Sequence, residues 1–285
     1  MNRSPVVSVY LPTRNRPQLL RDAVESVQQQ TWTDFELLIV DDGSDDGLTP
    51  ELIAALAAQD PRVRAFRHDT PRGAPAARNL AIREARGRFL TGIDDDDLML
   101  PRRLDSLLAA APEYHSLVCS SFFVEKNGVR RRHRRREEQI TLNDILHQNV
   151  IDNQALMLTT RVRDIGGFDE SLVASQDYDL WTRLIEQFGP ARRISEPSYV
   201  RREGISGAAI TGSPNAAEGA RQYTQKHLSK MNAAHRRSQR LLHKITRREP
   251  LRFAELVACA SLPTLPLLLR YVASRSVTLR KMLRR

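Results

Sequence analysis

GRFLTGIDDDDLML, residues 87–100, runs an apolar segment into four consecutive aspartates. The first half reads as a buried strand. The second sets Asp94, Asp95, Asp96 and Asp97 side by side. Two unit charges ~4 Å apart repel by about 4 kcal/mol at an effective dielectric of ~20. Either water solvates these acids at a loop tip or a cation sits among them. The same pattern recurs upstream. VVSVYLP (6–12) ends at Pro12, Thr13 and Arg14, and FELLIVDDGS (35–44) ends at Asp41 and Asp42. Between these runs the spacing turns helical. Leu19, Leu20, Ala23, Val24 and Val27 mark a helix over 16–30, and further helices are predicted over 51–59, 74–86 and 100–111. Pro101 suits the first turn of the last of these. VRAFRHD (63–69) reads as a short strand. Strands alternating with helices predict a mixed, mostly parallel sheet with helices on both faces. Such sheets bind ligands beyond the carboxyl ends of their strands, and three of those ends here carry polar groups. Neither GxGxxG nor GxxxxGK[ST] occurs, so the usual glycine-rich phosphate loops are absent.

Downstream, SLVCSSFFVEKNGVRRRHRRR (116–136) predicts a hairpin turning at Asn127-Gly128. Its basic second arm reads either as a solvated edge strand or as a phosphate-binding element. Residues 137–165 are mixed and helical in part. GGFDESL (166–172) is a turn, and DYDLWTRLIEQFG (177–189) an amphipathic helix in which Trp181 and Leu184 face the core. Composition shifts near 215, which divides the chain into a domain spanning 1–215 and a basic helical extension, 216–285. A long basic helix is predicted from Gln222 to Arg248. LVACASLPTLPLLL (256–269) is uncharged but shorter than the ~20 residues that a spanning helix needs, and it contains Pro263 and Pro266.

The net charge of +10 is carried by this tail. Residues 221–285 hold 16 Lys and Arg against 2 acids, whereas residues 1–220 hold 28 against 32. The asymmetry points to a polyanionic partner. The basic regions lack the interleaved aromatics on which nucleic-acid bases stack, which argues against nucleic acid. A basic amphipathic terminus favours an anionic membrane surface, with packing on the protein as the rival. The N-terminal apolar run is too short for a secretory signal. The two cysteines, Cys119 and Cys259, show no metal or redox spacing, which fits a reducing cytoplasm.

Aspartates at a strand end suit a hard divalent cation, since Mg²⁺ and Mn²⁺ prefer oxygen ligands and share them with substrate phosphates. The bland alternative is that Asp97 caps the next helix and the other acids are solvated.

SVYLPTRNRPQLLRDAVESVQQQTWTDFELLIVDDGSDD, GAPAARNLAIREARGRFLTGIDDDDLMLP, GGFDESL and SQDYDLWTRL, in that order, resemble the ordered motifs of glycosyltransferase family 2. The resemblance covers roughly residues 5 to 205. It implies a GT-A fold and inverting transfer from a nucleotide-diphospho-sugar, UDP- or dTDP-linked, to a glycan or lipid-linked acceptor. It places Pro12, Thr13 and Arg14 under the nucleotide and Asp42 on the base. It sets Arg78 in the donor pocket and Asp94 and Asp95 near ribose and metal. Asp96, the last acid of the D-x-D, becomes the principal metal ligand, with Asp94 as the second. Asp177 matches the general base, although Gln176 stands where the family often has glutamate, and Asp179 is a rival. Arg201 or Arg202 is a candidate for the diphosphate. Two other readings compete: a sugar-phosphate nucleotidyltransferase, and a polyanion-binding protein acting through its tail.

Overall fold

The structure, a computed structural model, describes residues 4–133, 138–151, 154–205, 214–247 and 249–252, with isolated positions up to 271. In chain order the elements begin with β1 (Val7–Thr13), α1 (Pro17–Gln28), β2 (Phe35–Asp41), α2 (Leu48–Gln59), β3 (Val63–Arg67), α3 (Ala74–Glu84) and β4 (Phe89–Gly92). Then come β5 (Leu98–Met99), α4 (Arg103–Leu108), β6 (Val118–Lys126), β7 (Val129–His133), β8 (Glu138–Ile140), α5 (Leu142–His147) and β9 (Met157–Leu158). The last are α6 (Thr159–Asp164), α7 (Gln176–Phe188), β10 (Ala191–Glu203), α8 (Pro214–Lys226) and α9 (Ala233–Thr246). They divide between two compact units. One comprises Met1–Leu142, Ile151–Ser171 and Gln176–Gly207, the other Asn143–Val150, Leu172–Ser175 and Ala208–Arg285.

The first unit contains two sheets. One has the order β3-β2-β1-β4-β9, parallel except for β9, and the other β5-β10-β6-β7, with β8 also pairing with β10. The period of two along the strands explains the helices on both faces of the first sheet. Val7, Val9, Leu11, Phe35, Leu37 and Ile39 share a core with Leu20, Val24 and Val27 of α1 and Ile53 and Leu56 of α2. The intervening residues face the other way, where α3 lies against β1 and β2. Gln30, just past α1, donates to the Leu100 carbonyl at 2.8 Å and accepts from the Leu104 N–H at 3.1 Å. Those two bonds anchor the entry to α4.

The hairpin forms as its Asn-Gly predicts. Lys126 pairs with Val129, and Asn127 and Gly128 both take positive φ, 51° and 74°. The edge strand β7 is exposed over residues 129–132. Arg134, Arg135 and Arg136 lie outside the described residues.

In the second unit the single basic helix predicted over 222–248 is instead two. α8 ends at Lys226, a 3₁₀ turn covers Leu228–Lys230, and α9 restarts after Asn232. The Asn232 side chain accepts from the Ala234 and His235 N–H groups, and His235 accepts back from the Asn232 N–H. This reciprocal cap supplies the local reason for the break. α9 docks on α5 through Gln239, which donates to the Leu146 carbonyl at 2.8 Å, and through His147 and Ser238 at 2.8 Å. The His147 and His235 rings meet edge to face at 4.4 Å. Most of the apolar stretch 256–269, and all of residues 274–285, lie outside the described residues. No helix among the described residues is long and apolar enough to cross a membrane.

Candidate active site

Three strand ends converge as the alternating pattern requires. β1 leads into Thr13, whose hydroxyl donates to Asp95 at 2.8 Å, while its carbonyl accepts the Asp42 N–H at 2.9 Å. Pro12 is buried within β1, and Arg14 is exposed just beyond it. The arginine that faces the acids is Arg16, at the start of α1. It reaches Asp95 at 3.0 Å and Asp96 at 3.7 Å. The sequence reading passed over Arg16 because no motif singles it out.

Asp41 and Asp42, together at the end of β2, are held differently. Asp41 accepts from the Ser44 N–H at 2.9 Å and pairs with Arg67. Asp42 pairs with His68 at 2.8 Å and accepts from the Arg72 and Gly73 N–H groups at 2.9 and 2.7 Å. Burial works against the charge on Asp42, but those three contacts outweigh it and hold the carboxyl below its ordinary range. A carboxylate offers about four acceptor positions, so one is left for a ligand donor. His68 was also missed, since an isolated histidine after a strand carries no signal.

The four aspartates that follow β4 are not equivalent. Asp94 accepts from Arg78 at 2.7 Å and from Gln154 at 3.3 Å. Asp95 is buried, and burial, with the charge of Asp96 adding to it, pushes its carboxyl up to about 6 against the pull of Arg16 and Thr13. Asp96 is also raised, by burial and by Asp94, and its side chain keeps 36% exposure. Asp97 lies deepest, pushed up to about 8 by burial and by the charges of Asp94 and Asp96. It does not cap a helix as the bland reading expected. β5 intervenes before α4, and the Asp97 carboxylate accepts the Arg202 N–H at 2.9 Å.

Arg202 is a brace rather than an open cation. Its side chain is 7% exposed, donates to the Asp96 carbonyl at 2.6 Å and pairs with Asp22 at 2.7 Å. Arg201, on the other side of the strand, pairs with Glu203 at 3.0 Å and lies over the Phe122 ring.

Arg78 belongs to the AARN segment of α3. Burial opposes its charge, yet Asp94, then Tyr10 and Asp177, hold it firmly protonated. Asp177, half-buried in the first turn of α7, therefore lies within electrostatic reach of the same guanidinium. Its neighbour Asp179 is fully buried and paired with Arg183 at 2.8 Å, while Arg183 also donates to the Ile165 and Gly167 carbonyls. Asp179 thus presents no surface to a ligand. The adjacent Asn79 fixes the GGFDESL turn, exchanging hydrogen bonds with Phe168 at 2.9 and 2.8 Å. Tyr10 joins the two sides. Its ring meets Phe168 edge on at 6.0 Å, and its hydroxyl donates to Gln154, which in turn donates to Asp94.

Among the described residues no three His, Cys, Asp or Glu side chains form a group able to hold a metal alone. Asp94 and Asp96 offer only oxygen donors, with Arg78 beside the first and Arg16 beside the second. That donor set fits a hard divalent cation completed by ligand phosphates.

Comparison with known proteins agrees with this arrangement. The model of glycosyl transferase family 2 matches residues 8–169. A relative in Escherichia coli strain K12, named "Putative colanic acid biosynthesis glycosyl transferase WcaA", is 31% identical over 246 residues, covering 84% of this chain and 87% of its own. Among solved structures, S. aureus TarS 1-349 in complex with UDP-GlcNAc is 18% identical. It covers 94% of this chain and 80% of its own, with a TM-score of 0.65. A Pyrobaculum calidifontis mannosyltransferase, PcManGT, in complex with GDP-Man and Mn²⁺ is 20% identical. It covers 99% of this chain and 79% of its own, with a TM-score of 0.54. These likenesses show the GT-A fold. The family match over more than half of the chain, together with the relative matched along most of its length, shows that the chain belongs to glycosyltransferase family 2.

Proposed function

We propose that the chain is an inverting glycosyltransferase. It carries a sugar from a nucleotide-diphospho-sugar, UDP- or dTDP-linked, to a hydroxyl of a glycan or lipid-linked saccharide in surface-polysaccharide synthesis. The observation that carries this reading is Arg78. Its guanidinium is paired with Asp94 and also feels the charge of Asp177, so a donor-side acid and a candidate base share one electrostatic site. The names of the E. coli relative and of the TarS complex support the polysaccharide role and the UDP-linked donor.

In this reading Pro12, Thr13 and Arg14 line the nucleotide, and the spare acceptor position on Asp42 takes the N–H of a pyrimidine. Thr13 and Arg16 hold Asp95 in place beside the ribose. Asp96 and Asp94 are the residues that would hold Mg²⁺ or Mn²⁺. When bound, such an ion offsets the charge of the departing diphosphate. Asp177 accepts the acceptor hydroxyl's proton. That oxygen bonds to the anomeric carbon as the bond from the same carbon to the diphosphate oxygen breaks on the opposite face.

The test is direct. The purified chain is screened against UDP-, dTDP- and GDP-sugars with Mn²⁺ by thermal shift, and slow donor hydrolysis is followed. UDP- or dTDP-sugar binding that EDTA or Asp96→Ala abolishes is the expected result. Release of pyrophosphate from a nucleoside triphosphate and a sugar phosphate would favour the nucleotidyltransferase instead. The basic extension, 216–285, we assign to reversible attachment on the anionic inner face of the cytoplasmic membrane.

A further inference from the structure

Arg103 carries a buried charge that the proposed chemistry does not use. It opens α4, is 1% exposed, and forms no ion pair among the described residues. Its guanidinium donates to the Ser198 and Ser120 hydroxyls at 3.0 and 3.2 Å and to the Gln154 carbonyl at 3.2 Å. It lies 4.8 Å from the centre of the Tyr199 ring, and its buried Nε–H meets no acceptor. Burial pushes the group down to about 10, so it stays a cation at neutral pH. A buried charge without a bonded counter-charge is expensive. Hydroxyls and a carbonyl accept equally from a neutral amide. Joining α4 to β6 and β10 therefore does not account for the charge.

The contacts of Arg103 lead to both ends of the acidic loop. That loop closes on itself, the Asp97 N–H donating to the Asp94 carbonyl at 3.0 Å. Gln154, whose carbonyl Arg103 holds, donates its side-chain amide to the Asp94 carboxylate at 3.3 Å. Tyr199, whose ring the guanidinium covers, accepts the Asp94 N–H on its hydroxyl at 3.5 Å. The same hydroxyl is hydrogen-bonded to the Asp97 carboxylate. Asp97 is in turn among the charges that favour the Arg103 cation. Arg16 and Arg78 pair with the acids directly. Arg103 bonds to none of them and reaches them through two neutral residues.

The geometry points to Arg103 as a positioning residue for the donor site, fixing Asp94 and Asp97 through Gln154 and Tyr199. The inference rests on the glycosyltransferase reading and adds to it a side chain that lies outside the acids themselves. Asp96 sits between the two held ends. The spacing of its carboxylate from that of Asp94, which a divalent cation would bridge, is thus set from behind. Residues that orient metal-binding side chains govern affinity without touching the ion. Asp42, at the other end of the proposed donor site, shares no bonding partner with Arg103.

Titration of the full chain with UDP, with and without Mn²⁺, tests this by calorimetry. Arg103→Met keeps an unbranched side chain and loses the charge and the fork. It should weaken Mn²⁺-dependent UDP binding about tenfold and leave Mn²⁺-free UDP binding little changed. The thermal melt should hold or rise, since exchanging a buried charge for an apolar group is often neutral or stabilising. The Ser198 hydroxyl already donates to Ser120 at 2.7 Å, so the serines keep a partner. Arg103→Lys keeps the charge without the fork and should recover part of the loss; should Arg103→Met not fold, it carries the test, with a smaller loss of the same kind. Arg102→Gln removes a charge from the exposed neighbour and should change neither binding measurement. A loss confined to Mn²⁺-dependent binding supports the inference whatever the melt. An equal loss with and without Mn²⁺, or a lower melt with Mn²⁺-dependent binding intact, would overturn it. Absence of UDP binding, or of any Mn²⁺ effect on it, in the unmodified chain would break the donor or metal reading, and this inference with it.

Discussion

Asp177 and Asp179 stand two residues apart on α7 and differ in what surrounds them. Asp179 has no exposed surface and forms an ion pair with Arg183, whose other donors hold two backbone carbonyls. Removing one partner of a buried pair leaves the other uncompensated. Asp179→Ala should therefore lower stability by about 3 kcal/mol, read from denaturant unfolding. Asp177→Asn should leave the unfolding midpoint near that of the unmodified chain and slow transfer by roughly 10² or more, with donor affinity little changed. Activity in Asp177→Asn with intact stability would remove the base assignment. Gly92 is a second position where one atom decides. A Cβ there would lie 2.0 Å from the Tyr10 ring and 2.6 Å from the Gln154 amide oxygen. Gly92→Ala should displace the Tyr10–Gln154–Asp94 chain and reduce donor binding as well as stability, measured by UDP titration alongside thermal melting. The sequence could point to Asp177 and Asp96 because they sit in compact motifs. It could not point to Gln154 or His68. Gln154 meets Tyr10 across 144 residues and His68 meets Asp42 across 26, and such partners leave no local pattern.

Among the elements, the helices and strands up to β4 were legible to within a few residues, because β1, β2 and β4 are continuous buried apolar runs and helices such as α1 bury one regular face. α8 and α9 were not separable from composition. Both are basic and rich in helix formers, and only the Asn232 cap marks the join. α4 begins at Arg103 instead of Leu100, because Leu98 and Met99 are taken up by pairing with Val200 and Tyr199 of β10. The contact of α5 with α9 carries its own prediction. Burial, and for His147 the nearby His235, push both histidines below the usual 6.5, while Asp144 pulls His147 back up. The folded state thus binds fewer protons than the unfolded one, and the stability of this contact is lost as pH falls below about 6.5. Thermal melts should show the second unit weakening between pH 7 and pH 5. His147→Gln, which keeps a polar group towards Ser238, should flatten that dependence. A pH-independent melt in the unmodified chain would show that the histidines do not govern it.

For the whole molecule, the decisive quantity is where the charge sits. All of the excess lies after residue 220, attached to a remainder that is slightly acidic. Each Lys or Arg near an anionic bilayer contributes about 1 kcal/mol, and an uncharged stretch such as 256–269 adds burial that salt does not screen. The full chain should co-sediment with anionic liposomes and not with neutral ones, and a chain ending near Ala220 should lose most of that binding. Equal sedimentation of the two forms would separate the tail from the membrane.

β10 presents its residues to the two faces of its sheet alternately. Tyr199 and Arg201 look along one face, and Arg202 turns to the other, bracing the Asp96 and Asp97 loop. Insertion or deletion of one residue between Ser198 and Arg202 would exchange those faces and take the brace from the acids. Length changes are therefore forbidden in this stretch, whereas the Asn127-Gly128 turn, exposed and clear of the acids, can absorb them. A one-residue insertion at that turn should leave the thermal melt near that of the unmodified chain, whereas one after Ser198 should lower it.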